Sequence, residues 1–359
     1  MELLVSPPRP LSEELRQLII QPPDEATSMY LVGFGFQPVP ALPQLYYRQV
    51  TPPQLVAIFA KLSETLDETI QGAARFLLTS KPLDAGELLL EFLRAQPLLA
   101  FTKSVKYAWF YRILIRLGLF FKYQPIFDLA SGEVAAYECL ARAKDEEGQC
   151  ISGGQLIDAA ISTQLTCEFD ELARTTCLAE IAGMQAQQKF FINLIPNAIV
   201  HNPHSLEQNL QQILELGLQP EQIVFELTEV EVLSQTPELL QQIQRLRNWG
   251  FGIAVDDLCG CVSVDHYLME FRPDIIKLDR RLVHGSSKFT LKQTLIESLL
   301  SSAHREGILV LAEGLEALED IEFCRNLGID YGQGFGLALP ETSLQQTPLN
   351  YPALLPSAC

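Results

Sequence analysis

Eight short runs of aliphatic and aromatic residues between Phe120 and Pro340, separated for the most part by stretches with helical periodicity, constrain this chain more than anything else in it. The runs are FFKYQPIF, VAAYECLAR, FFINLIP, IVFELTE, FGIAVDD, DIIKLD, ILVLAEG and IDYGQGF. Helical patterns fall at Thr166 to Met184, Ser205 to Leu216, Pro237 to Trp249, Leu291 to Glu306 and Leu318 to Leu327. Strand-helix alternation on this scale means an α/β fold with a mostly parallel sheet, and the number of runs suits a closed (β/α)8 barrel of the TIM type. The first two runs are separated only by DLASGE, Asp128 to Glu133, too short for a helical crossover, so the spacing predicts an antiparallel first strand in a hairpin.

Residues 1–105 have a different texture, with prolines at 7, 8, 10, 22, 23, 38, 40, 43, 52 and 53 and helical periodicity afterwards, at about Gln54 to Ile70 and Ala85 to Gln96. They read as a smaller, mainly helical N-terminal unit for regulation, docking or dimerisation, open to a protein partner. The stretch Tyr107 to Leu117 is either an amphipathic connector or an ordinary packed helix. The barrel is expected over 106–345, with 346–359 as a C-terminal tail.

The formal net charge is −18, which argues against a broad basic footprint for duplex nucleic acid or an anionic membrane. Any polyanionic ligand needs local cations. Eight cysteines without a C-x-x-C pair and five histidines without an H-E-x-x-H cluster indicate neither structural zinc nor a disulfide framework. Reduced thiols, an N-terminus (MELLVSPPRP) without the pattern of a signal peptide, and apolar runs interrupted by charge lead to the expectation of a cytoplasmic protein with no membrane span.

A charged or amide residue stands inside or just after nearly every strand run: Glu138, Asn193, Glu226, Asp256 with Asp257, Lys277, Glu313 and Gln333. Taken singly, each has an ordinary explanation: a strand-end acid is usually a helix cap or a solvated loop residue, and Lys277 has Asp279 as a surface partner. Together they converge, because the C-terminal ends of parallel barrel strands open on one face. So many acids on one face raise each other's pKa unless cations neutralise them. Carboxylates with one amide oxygen are hard ligands that suit Mg2+ or Mn2+. Adjacent Asp256 and Asp257 offer the bridging carboxylate of a two-metal phosphodiester site, where a water between the ions is the expected nucleophile, Lys277 orients it or stabilises charge, and Glu313 supports the second metal or proton transfer.

In order along the chain, YQPI (123–126), ECLAR (138–142), F-x-N-L (191–194), ELTE (226–229), DD (256–257), KLD (277–279), AEGLE (312–316) and QGF (333–335) resemble the EAL domain of bacterial cyclic di-GMP phosphodiesterases, over about Phe120 to Pro340. The resemblance implies a modified TIM barrel with an antiparallel first strand, in agreement with the short hairpin. It implies metal ligation by Glu138, Asn193, Glu226, Asp256 and Asp257, with Lys277 and Glu313 beside the attacking water. It further implies substrate contacts from Gln124, Leu140, Arg142 and Gln333, with the Arg142 guanidinium on a phosphate, and loop bracing by Glu229 and Glu316. The expected activity is hydrolysis of cyclic di-GMP to the linear dinucleotide, and pairing into a homodimer is common in the family.

Departures from the family pattern are specific. The motif alanine is Cys139, small enough for the strand. The family's D-D-F-G-T-G loop reads Asp256, Asp257, Leu258, Cys259, Gly260, Cys261, with cysteine for both glycines, and the closing family lysine is Leu339. Cys259 and Cys261 are either a redox pair or inert small side chains. The run GQGFG at 332–336 lacks the Rossmann spacing and strand-turn-helix setting, and a phosphate-facing turn at the last barrel strands is an alternative reading. Three functions follow: a metal-dependent phosphodiesterase, a cyclic di-GMP receptor or docking module without turnover, and an unrelated metal-dependent barrel hydrolase. The last predicts activity on other phosphodiesters.

Overall fold

A computed structural model describes residues 16–40, 42–79, 85–184, 186–227, 237–258 and 272–349, with the side chain of Asp257 outside that description. Glu229, the Cys259–Cys261 loop and residues 350–359 lie outside the described residues. The chain divides into two compact units, Met1–Tyr111 and Arg112–Cys359. The division falls after residue 105 because the helix Leu98–Lys106 packs on the helices Pro52–Thr65 and Glu68–Ala73 of the first unit.

The first unit holds these helices with an antiparallel sheet that the proline-rich texture concealed. Its strands are β1 (Arg16–Gln21), β2 (Gln37–Val39), β3 (Leu42–Val50), β4 (Arg75–Thr79) and β5 (Gln96–Pro97), in the order β2-β3-β1-β4-β5. Proline cannot donate to a ladder and is confined to edges and irregularities. Pro38 and Pro97 accordingly lie in the edge strands β2 and β5, and Pro43 falls in the register shift between the pairs Val39–Leu42 and Pro38–Tyr46. Helix still exceeds strand in this unit. The helix expected from Gln54 to Ile70 is two helices, because Leu66 is extended and the Asp67 carboxylate accepts the Ile70 N–H at 2.9 Å, starting a second helix.

The second unit is a closed barrel. Its strands are β6 (Leu119–Asp128), β7 (Val134–Lys144), the short edge strand β8 (Cys150–Ile151), β9 (Lys189–Leu194), β10 (Ile223–Leu227), β11 (Gly252–Leu258), β12 (Ile275–Leu278), β13 (Leu309–Ala312) and β14 (Tyr331–Gly332). Apart from β8 they form a ring in the order β6-β14-β13-β12-β11-β10-β9-β7, closed by β6 against β7. β6 is antiparallel to both neighbours, and the other neighbouring pairs are parallel. The hairpin turn is set by Asp128, whose carboxylate accepts the Ser131 N–H at 2.8 Å. β10 is buried at every residue, as expected of a strand covered on both faces.

One interior residue per strand fills the barrel: Ile126, Ala136, Phe191, Val224, Ala254, Ile275 and Leu311, with Tyr331 packed against them. A larger apolar layer lies between the outer strand faces and the helices. After β14 the chain stays on the barrel. Tyr123 and Glu341 exchange backbone hydrogen bonds, Gln345 O accepts from Tyr137 Oη at 2.8 Å, and Leu349 N donates to Gly132 O at 2.8 Å. No helix among the described residues is long and apolar enough to cross a membrane.

Candidate metal and phosphodiester site

Side chains alternate across a strand with period two, so the residue two positions beyond each interior plug residue faces the same way, one layer nearer the barrel mouth. That step leads from Ala136 to Glu138, Phe191 to Asn193, Val224 to Glu226, Ala254 to Asp256, Ile275 to Lys277, Leu311 to Glu313 and Tyr331 to Gln333. On the reversed strand β6 it runs backwards, from Ile126 to Gln124. The apolar plug thus forms the floor under a polar layer.

Lys277 is the centre of that layer. It is 1% exposed, and its Nζ contacts Glu226 Oε1, lies 2.5 Å from Glu313 Oε1, 3.3 Å from Asp256 Oδ1 and 3.7 Å from Glu138 Oε1. Burial alone lowers a lysine's pKa, but the four carboxylates outweigh it and hold the ammonium charged, well above its ordinary value. Burial pushes Glu226, 0% exposed, well above the usual carboxylate range; Lys277 opposes the shift, while Asp256, Glu138 and Glu313 add to it. Glu313 is pushed up to about 8 by burial and by Asp256 and Glu138, again against Lys277. One ammonium facing four carboxylates leaves negative charge to be neutralised.

The donor set fits a hard divalent cation. Glu226, Asp256 and Glu313 each offer an oxygen, these oxygens lie within 4.8 Å of one another, and no His or Cys among the described residues joins them. Glu226 Oε2 and Asp256 Oδ1 are buried and accept no hydrogen bond, the latter facing only the Lys277 ammonium at 3.3 Å, and the orphaned Glu226 oxygen is in a costly state that a cation relieves. β11 carries a register shift between Val255 and Leu258, opposite Lys277 on β12, so two residues face one there. Such a bulge frees Asp256 from strict alternation between the two faces.

The remaining expected residues are found around this layer. Glu138 Oε2 accepts from Gln333 Nε2 at 2.5 Å, and Gln124 Nε2 donates to Ala338 O at 3.3 Å, so both amides are buried and engaged by protein. Glu138, Leu140, Arg142 and Asn193 line a cavity of about 340 Å³ between β7, β9 and the flanking helices. Arg142 donates to Ala141 O at 2.8 Å and makes no ion pair among the described residues. Glu316 pairs with Arg280 at 3.0 Å. Cys139 is buried against Cys177, and burial raises its thiol well above the ordinary value, which keeps it protonated. The glycines after Gln333 serve packing: a Cβ at Gly334 would stand 2.3 Å from the Leu315 backbone, so only glycine lets the two turns meet.

One buried pair, of which Asp170 lines the same cavity, escaped the sequence reading. Asp170, 2% exposed, is ion-paired to Arg174, 1% exposed, on the helix Thr166–Met184. The signal was present, since 170, 174, 177 and 181 form one helical stripe whose other members, Cys177 and Ile181, belong to the core. An i,i+4 pair reads by default as solvated.

The family model described as the EAL domain matches residues 110–340 of this chain. Among curated proteins, the chain is 29% identical over 214 residues to the blue light- and temperature-regulated antirepressor BluF of Escherichia coli K12, covering 60% of this chain and 52% of BluF. It is 29% identical over 225 residues to the cyclic di-GMP phosphodiesterase PdeB of Shewanella oneidensis MR-1, covering 61% of this chain and 26% of PdeB. The chain thus spans about half or less of these relatives. Among solved structures, the Bacillus subtilis YkuI protein, with an EAL domain, in complex with substrate c-di-GMP and calcium, aligns with a TM-score of 0.58 at 23% identity, over 66% of this chain and 58% of that one. That likeness supports the barrel architecture.

Proposed function

The chain belongs to the EAL domain family, and on that premise we propose that its barrel is a phosphodiesterase that opens cyclic di-GMP to the linear dinucleotide with Mg2+ or Mn2+. The observation that carries the reading is the excess of carboxylates over ammonium at the mouth, with two buried carboxylate oxygens that accept no hydrogen bond. Glu138, Asn193, Glu226, Asp256 and Asp257 would hold the cations. The chemistry these supply when bound is activation of water toward phosphorus and neutralisation of charge on the phosphate. Lys277, fixed by its carboxylate neighbours, orients the attacking water and offers positive charge to the developing phosphorane oxygens. Glu313, ionised when cations neutralise the neighbouring carboxylates, takes up the water's proton. Arg142 meets a non-bridging phosphate oxygen with its guanidinium, Leu140 offers apolar contact, and Gln124 and Gln333 lie along the nucleotide. Glu229 and Glu316 brace the neighbouring loops. A cytoplasmic second-messenger role fits this activity.

The test is chromatographic: purified protein with cyclic di-GMP and Mn2+ should yield the linear dinucleotide, and Glu226→Gln should abolish the product. Equal conversion by wild type and variant, or none at any metal concentration, would sink the proposal. A second reading, a cyclic di-GMP receptor that docks a protein partner, is favoured by the similarity to BluF, whose name is that of an antirepressor. Binding by calorimetry without turnover would select it.

A further inference from the structure

Asn193 stands at the end of β9, where the chain turns after Leu194 into the helix Pro196–His201, and nothing in a strand end by itself fixes the amide's position. The next backbone donor beyond the strand, Ile195 N–H, is bonded to a side chain, the buried Asp170, whose Oδ1 accepts it at 3.0 Å. Asp170 is not free to shift. It is ion-paired to Arg174, which donates through Nε to Asn209 Oδ1 at 2.8 Å and through Nη2 to Ser205 Oγ at 3.1 Å. Asn209 and Ser205 are buried on the helix His204–Glu215, and Ser205 Oγ donates in turn to Asn202 O at 2.8 Å. Two helices are thereby locked onto one backbone N–H, two residues from the amide. Asp170 and Asn193 line the same cavity.

A buried ion pair is costly and contributes little net stability compared with apolar residues of the same size. Its use here is better sought in what it holds in place. The structure assigns to Asp170 the role of a positioning residue: through the Ile195 N–H it fixes the end of β9 and so aims Asn193 at the cation, with Arg174 holding the carboxylate in place. This rests on the reading of Asn193 as a metal ligand. Groups hydrogen-bonded directly to a ligand are worth about 10–100-fold in metal affinity, and the lower end applies to Asp170, which acts through the backbone.

The test deletes one hydrogen bond from either end and reads Mn2+ affinity by calorimetry on the full chain without substrate. Asp170→Asn/Arg174→Met removes both charges and keeps an oxygen for Ile195 N–H, whereas Asp170→Leu/Arg174→Met removes the oxygen as well. Ile195→Pro leaves the ion pair whole and deletes the donor, at a position whose φ of −83° proline tolerates, and Ile195→Val, which keeps the N–H, controls for the change of side chain on the cavity wall. The Asn/Met pair is expected to bind Mn2+ within about threefold of wild type; the Leu/Met pair and Ile195→Pro should bind at least 10-fold more weakly, with turnover recovering at saturating Mn2+. Should the Leu/Met pair fail to fold, Ile195→Pro decides alone. Wild-type affinity in Ile195→Pro, or equal affinity in the two double variants, would overturn the assignment. Absence of Mn2+ binding by wild type would overturn the metal site itself, and the assignment with it.

Discussion

Replacing Lys277 by methionine tests whether the ammonium and a divalent cation answer the same buried negative charge. The substitution keeps the length of the side chain and leaves Glu138, Glu226, Asp256 and Glu313 facing one another without a cation. Breaking a buried ion pair by removing one partner costs about 3–5 kcal/mol. The lower end applies here, because Glu313, pushed up to about 8, is already partly protonated at neutral pH. For a unit of this size about 3 kcal/mol corresponds to a fall in melting temperature of about 6–12 °C. Scanning calorimetry in EDTA at pH 7.5 should show it. Mn2+ at about 100 times its Kd then returns about 2.7 kcal/mol by mass action, bringing the variant back close to metal-free wild type. A variant that melts with wild type in EDTA, or one that Mn2+ does not rescue, would refute the reasoning.

Without metal, stability should fall as pH rises from about 5 to about 8. Glu313, held up to about 8 by burial, keeps a proton in the folded chain that the unfolded chain releases near its ordinary 4.5. Urea melts in EDTA should show the fall, and Glu313→Gln should flatten it. Asp320 accepts from Gly285 N at 2.8 Å and Ser287 N at 2.9 Å; burial works against the ionised form, but these donors prevail and lower its pKa. Asp320→Asn should therefore cost about 1–2 kcal/mol at neutral pH, a difference present above the ordinary 3.8 and lost as pH drops below it, checked by denaturation at pH 7 and pH 2.5. Gly334→Ala forces the 332–338 turn away from Leu315 and should cost about 1–3 kcal/mol in urea, with the Gln333 to Glu138 bond lost from the crystal structure of the variant.

The barrel was legible because its strands are buried on both faces, so IVFEL or GIAVDD stands out without any alternation to decode. The polar layer of the candidate site followed from the same runs, interrupted by polar residues at the step above the plug. Where the sequence was opaque, the reason was a competing use of the same residues. Proline in the first unit reads as a breaker, and only the sheet order reveals that Pro38 and Pro97 occupy edges where no donor is needed. Lys277 offers Asp279 as an obvious neighbour two residues on; its burial among acids from four strands depends on register that sequence does not carry. Asp170 and Arg174 share spacing with any solvated helical pair, and only the apolar members of their stripe hint that both lie inside.

The reversed direction of β6 bears on how the ring is completed. Its seam joins residues 127 and 128 to residues 331 and 332, and the segment ending at Leu349 lies along the same hairpin. The hairpin of β6 and β7 is local in sequence and the parallel strands each add to the one before, but the last seam has the longest sequence separation in the barrel. Contacts of that span pay the largest loop-closure entropy and form late. A chain emerging from the ribosome therefore carries β6 with one edge open until its final strands arrive. Until then that edge is the place where a second nascent chain can pair in error.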